Sequence, residues 1–160
     1  MEPITFHPIG VIHTPFTEVA GMPVQASAAG GAQGRIELAA AFVDGLRDLE
    51  TFSHLILLYH LDRTGPPRLV VTPFFDDREH GVFATRSPAR PNPIGLSTVR
   101  LVSIAGNVLE IADVDILDGT PLLDIKPYVP ALDDRAEPRI GWYADRLDRL
   151  DGTRADRRFS

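Results

Sequence analysis

The chain contains no cysteine, so disulfides, cysteine-ligated zinc and a thiolate nucleophile are all excluded,. No apolar run approaches the roughly 18–20 residues that a membrane-spanning helix needs. Met1–His7 carries no basic stretch leading into an apolar one, which argues against a secretory signal,. There is no Gly-x-Gly-x-x-Gly after a strand and no Walker pattern, so a nucleotide would not be held on a Rossmann or P-loop cradle. A Gly-x-Ser-x-Gly elbow of the hydrolase kind is missing as well. Basic charge is scarce: 16 Lys and Arg stand against 22 Asp and Glu, a net charge of −6, which argues against nonspecific nucleic-acid binding,. The default expectation is a cytoplasmic protein without a membrane partner.

Metal ligation is also disfavoured. His54 and His60 share one strand-like run and one face, but roughly 20 Å of extended chain separates them, too far for a single ion. His7 and His13 do not neighbour paired acids. The expectation is no metal.

What remains is enough for one domain. The 160 residues are 44% apolar, sufficient for a single sizeable core,. The expected division is one domain over 1–150 and a frayed tail over 151–160. Strand-like patterns cover Ile4–His13 (interrupted at Pro8, hence an edge or bent strand), Arg35–Leu38, His54–Leu61 (read as fully buried), Leu69–Phe75, Val82–Thr85 and Leu122–Lys126,. Leu96–Ile104 and Val108–Ile116 flank Ala105-Gly106-Asn107, and Gly-Asn suits a two-residue hairpin turn. In the second arm Leu109, Ile111, Asp113 and Asp115 share one face. Met22–Gln33 reads as a loop, and Ala41–Thr51 as one or two helical turns. Ile140–Leu150 reads as a short C-terminal helix, docking through Trp142, Leu147 and Leu150. Many short strands with little helix predict a mainly β protein, an antiparallel barrel or sandwich.

One segment resists a purely structural explanation. Residues 83–97 read Phe-Ala-Thr-Arg-Ser-Pro-Ala-Arg-Pro-Asn-Pro-Ile-Gly-Leu-Ser. Pro88, Pro91 and Pro93 each fix φ and remove a backbone donor, so a rigid extended loop must display Arg86, Arg90 and Asn92. Two guanidiniums and an amide suit a ligand bearing phosphate, carboxylate or a heterocycle edge. The window Arg78–Arg100 is +3 on an otherwise acidic chain, compatible with a focused phosphate contact or a small anionic substrate. Asp118-Gly119-Thr120-Pro121 has the chemistry of a tight turn. In Asp124-Ile125-Lys126-Pro127-Tyr128, the Asp124 and Lys126 side chains share a strand face, as a simple ion pair or as a charged pocket wall.

The stretch Gly81–Ser97, with Asp118–Pro121 and Asp124–Tyr128, resembles the TsaA-like (TrmO) family of S-adenosylmethionine-dependent methyltransferases. Ile9–Phe16 and Phe52–Leu55 add weaker likeness. The resemblance implies a small antiparallel β-barrel that forms a homodimer, with sites open to completion across the dimer. It also implies transfer of a methyl group to N6 of N6-threonylcarbamoyladenosine beside the tRNA anticodon. By the same resemblance Pro23, Val24, Gln25, His60, Arg86, Leu96, Asp118, Gly119, Thr120 and Pro121 contact the cofactor. Arg90, Asn92 and Lys126 would lie near the substrate or support the loop. His60, Asp124 and Lys126 stay open as catalytic candidates. Longer bacterial members carry a further C-terminal domain. That difference and the acidic charge leave two alternatives: a small-molecule or protein acceptor, or a noncatalytic barrel that binds an adenosine-type ligand.

Overall fold

In the computed structural model, residues 2–24, 30–149, 153–156 and 158–159 are described. The strands are β1 (Gly10–His13), β2 (Gln33–Leu38), β3 (His54–His60), β4 (Val70–Val71), β5 (His80–Gly81), β6 (Ile94–Ala105), β7 (Val108–Ala112) and β8 (Thr120–Pro127). Six of them close into an antiparallel barrel in the order β1-β2-β7-β6-β3-β8, and β4 pairs with β5 outside it. The mainly β expectation is met.

Closure explains the patterning. A closed sheet has no edge, so each strand needs only one apolar face. Leu55, Leu57 and Tyr59 of β3 face inward, with Ile12, Ile36, Val99, Leu109 and Leu122 from the other barrel strands. The continuous apolar run of β3 is therefore not buried on both faces. Ile56 and Leu58 are half-buried on the outer wall, where they pair with Lys126 and Asp124 of β8.

The β6–β7 hairpin forms as its turn chemistry requires. Ala105 pairs with Val108, leaving Gly106-Asn107 as the loop, with Gly106 at φ 61°. The second arm stops early. Asp113 adopts φ 64°, in the left-handed region that aspartate tolerates better than most residues. This switches the buried parity from Leu109 and Ile111 to Val114 and Ile116. Asp115 then stands between two buried anchors and no longer shares the leucine face.

Other expectations change with the structure. Only Gly10–His13 of the first pattern is paired, on both sides, so it is no edge, while Ile4 and Phe6 before Pro8 are exposed. Of Leu69–Phe75 only β4 pairs, since Pro73 offers no donor,. Val82–Ala84 is a 3₁₀ turn following β5, not a strand. The Ala41–Thr51 pattern becomes 3₁₀ turns at Ala40–Leu46 and Leu49–Thr51. Ile140–Leu150 is likewise two 3₁₀ turns, Gly141–Asp145 and Leu147–Arg149. The α-helical segment is α1 (Pro130–Asp133). Leu147 is exposed rather than docked, and Leu150 lies outside the described residues.

The segment expected to fray is packed where it is described. Phe159 is buried in a second apolar cluster with Val71, Val82 and Ala89, and its ring meets Phe74 edge-on at 5.2 Å. Ala155 exchanges backbone hydrogen bonds with Gly21 and Met22 at 2.8 and 2.9 Å.

Candidate functional site

Strand direction gathers the site. β3 runs antiparallel to β6 and β8, so its last residues meet the first residues of both. The proline loop enters β6 at this end of the barrel, and Asp115–Leu117 leads toward β8. Together with Val19–Val24 and the packed C-terminal residues they enclose a cleft of about 470 Å³, within the ordinary range of small-molecule sites, roughly 300–1,000 Å³.

The loop is held by more than proline. Thr85 Oγ1 donates to the Val82 carbonyl at 2.8 Å and accepts from the Ser87 N–H at 3.2 Å. Ser87 Oγ accepts from the Ala89 N–H at 3.3 Å. Arg90 Nη1 donates to the Thr85 and Ser87 carbonyls, each at 3.2 Å. Arg90 is therefore a brace inside the loop, whereas the Arg86 side chain is exposed on the cleft wall.

The cleft floor carries a hydrogen-bonded chain that the sequence reading missed. Ser97 Oγ donates to Asp115 Oδ1 at 2.6 Å and lies 2.8 Å from the Tyr59 hydroxyl. A serine hydroxyl has one hydrogen. With that hydrogen on Asp115, Tyr59 is the donor to Ser97. Burial, reinforced by the Asp115 charge, pushes the Tyr59 phenol far up and keeps it protonated. Gly95 makes room for this ring: a Cβ there would stand 2.1 Å from Tyr59 Cε2.

A second set of contacts pins the C-terminal 3₁₀ turns beside the loop. Trp142 stacks between His80 at 4.4 Å and Tyr143 at 3.9 Å, and its Nε1 donates to the Ala84 carbonyl. Asp76, buried, takes His80 Nε2 at 3.2 Å and Arg146 Nη2 at 3.4 Å. Burial opposes the Asp76 charge. Hydrogen bonds from His80 and from the Asp77 and Arg78 N–H groups, with the Arg146 guanidinium, outweigh that opposition and hold the carboxyl well below its usual range. A depressed folded-state value means that the stabilisation is complete above the unfolded value, near about 4, and is lost as pH falls below it. Trp142, the chain's one tryptophan, reports this directly. Its fluorescence is expected to change on acidification below about pH 4. Asp76→Asn should loosen the turn already at neutral pH and flatten that acid response; an unaltered acid response would place the clip elsewhere.

The structure sorts the expected site residues into two groups. Pro23, Val24, Arg86, Leu96 and Thr120 line the cleft, as do Arg90 and Asn92. Gln25 lies outside the described residues. His60 is exposed at the end of β3, opposite in parity to Tyr59, and Tyr59, Leu61 and Asp62 form that part of the wall. Asp118 and Gly119 brace the turn from behind. Asp118 Oδ1 accepts from the Thr14 N–H at 3.1 Å, and the Gly119 N–H donates to the Ile12 carbonyl. That Thr14 bond, aided by His13 and Arg63 against some burial, holds the Asp118 carboxyl below its usual range. Pro121 pairs with Val11 of β1. Asp124 and Lys126 form an ion pair of 2.6 Å on the outer wall of β8 and do not line the cleft. No period-two pattern signals Asp115, whose direction is set by the left-handed Asp113 before it,.

Comparison with known proteins gives a consistent result. The tRNA-methyltransferase O N-terminal domain family matches residues 11–134. A probable S-adenosyl-L-methionine-binding protein of Pyrococcus abyssi is 55% identical over 156 residues, 98% of this chain and 85% of that one. The tRNA (adenine(37)-N6)-methyltransferase of Escherichia coli is 40% identical over 140 residues, 81% of this chain and 60% of that one. The crystal structure of TrmO from Pseudomonas aeruginosa superposes with a TM-score of 0.75 at 39% identity, covering 88% of this chain and 63% of that one. The family match spans most of the chain and the fold superposes on that of a relative, so this chain belongs to the TrmO family.

Proposed function

We infer that this chain is an S-adenosylmethionine-dependent methyltransferase that acts on N6 of N6-threonylcarbamoyladenosine beside the tRNA anticodon. One observation carries the reading: Pro23, Val24, Arg86, Leu96 and Thr120, drawn from three separate segments, converge on a single cleft in a member of this family. The cleft suits the donor, with apolar walls at Val24 and Leu96 and polar groups at Arg86 and Thr120. Bound there, the sulfonium compound supplies an electrophilic methyl group, and the protein's task is to align the acceptor in line with it.

The acceptor side falls to the rim. The threonylcarbamoyl group carries a carboxylate, which an arginine fork holds well. Arg63 and Arg86 stand on the cleft wall, and Arg63 Nη2 also donates to the Asp118 carbonyl, fixing it to the turn. The reading extends to a homodimer in the cytoplasm. Leu69, Val70 and Phe83, all more than half exposed around the β4–β5 pair, offer apolar surface for the dimer,.

Turnover tests this reading. Protein, labelled S-adenosylmethionine and tRNA from cells lacking this gene are incubated, and the nucleosides analysed. N6-methylated threonylcarbamoyladenosine is the expected product. Cofactor binding without that product would sink the tRNA assignment, and label entering small-molecule extracts instead would point to another acceptor.

A further inference from the structure

The acceptor nitrogen in this reading bears one hydrogen and lies between a carbonyl and a purine ring. Its lone pair is delocalised, and its proton must leave for the methylated product to be neutral. A proton acceptor at the reacting atom is therefore needed.

The cleft wall supplies few. Its arginines have no lone pair to offer. Burial pushes both wall phenols, Tyr59 and Tyr143, up and away from phenolate. Two wall carboxylates remain among the described residues, Asp62 and Asp115. Asp62 lies just past the end of β3, with Arg63 Nε 4.0 Å away. Asp115 sits between the buried Val114 and Ile116, and one of its oxygens is fixed by Ser97, itself oriented by Tyr59. A carboxylate held this way has one defined direction, as a reacting group requires.

We propose that Asp115 is the catalytic proton acceptor of the methyl transfer, with Ser97 and Tyr59 as the residues that position it. The inference rests on the methyltransferase reading above. In the step, a bond forms between the acceptor nitrogen and the methyl carbon. The carbon–sulfur bond breaks with its electron pair left on sulfur, and the N–H proton passes to the Asp115 carboxylate.

The test separates binding from chemistry. In Asp115→Asn, S-adenosylmethionine affinity by calorimetry should stay within about threefold of wild type. Single-turnover transfer to tRNA at saturating donor should fall about 100-fold or more, with Asp115→Glu recovering part of it. Ser97→Ala and Tyr59→Phe should each lose about tenfold, and should add little further loss in the Asp115→Asn background. A merely structural role would instead give additive losses that follow melting temperature. A wild-type rate in folded Asp115→Asn overturns the proposal. So does a loss of affinity whose rate recovers at saturating donor, which would make Asp115 a donor ligand. If Asp115→Asn does not fold, an unchanged rate in folded Ser97→Ala overturns it. Wild-type protein that binds the donor yet methylates no tRNA defeats the functional reading first, and this assignment falls with it.

Discussion

Replacing Gly95 by alanine is expected to destabilise the barrel by about 1–3 kcal/mol and to lower methyl transfer by about tenfold or more. The added Cβ would lie 2.1 Å from Tyr59 Cε2 and 2.4 Å from Cζ, inside the ring's own volume. A flexible side chain could swing away, but this is an aromatic ring 6% exposed inside a closed sheet. The ring therefore moves with its surroundings, and its hydroxyl leaves Ser97. Asp115 then loses the group that aims it. Denaturant titration and single-turnover assay of Gly95→Ala check both effects. Unchanged stability together with wild-type turnover would mean that the ring has free space, and a stable but inactive variant would isolate the hydrogen-bonded chain as the cause.

Gly95 also marks how far the sequence could be read. It sits in the Asn-Pro-Ile-Gly run that drew notice for its prolines, yet its requirement comes from Tyr59, 36 positions earlier and opposite it in the β3–β6 ladder. Local signals were sound where the chemistry is local. The Gly106-Asn107 turn, the rigid 85–93 loop and the alternation that predicts a barrel all depend on near neighbours. Signals failed where a distant contact decides. The left-handed Asp113 resets strand parity and gives Asp115 its new direction, which no period-two pattern anticipates,. Residues 151–160 read as a frayed tail, while one of them, Phe159, fills a cluster assembled from residues 71–89.

The same distinction explains the site residues. The family resemblance put Asp118 and Gly119, with their polar backbone groups, at the ligand. Here those groups are consumed by Thr14, Phe16 and Ile12, and the turn acts by setting the neighbouring Leu117 and Thr120 into the wall. Asp124 and Lys126 alternate correctly for one strand face, but in a barrel that face is the outer one. Alternation identifies which residues share a side and is silent on which side meets the ligand.

The two loop arginines give the remaining large effect, and their variants should behave differently. Arg86→Ala is expected to weaken S-adenosylmethionine binding by about tenfold to a hundredfold, since a charged hydrogen bond is worth about 1.5–3 kcal/mol. Its exposed side chain leaves stability changed by about 0.5 kcal/mol or less. Arg90→Ala removes one nitrogen that serves two loop carbonyls, Thr85 and Ser87. Losing it should cost about 1–3 kcal/mol of stability and weaken donor binding through the loosened loop, so affinity and melting temperature fall together. Calorimetry and thermal unfolding on the pair decide the matter. If Arg86→Ala binds the donor as wild type does, the cofactor does not lie against this loop. If Arg90→Ala melts as wild type does, the prolines and the Thr85 and Ser87 hydroxyls alone hold the loop rigid, and the second guanidinium is available for a ligand after all.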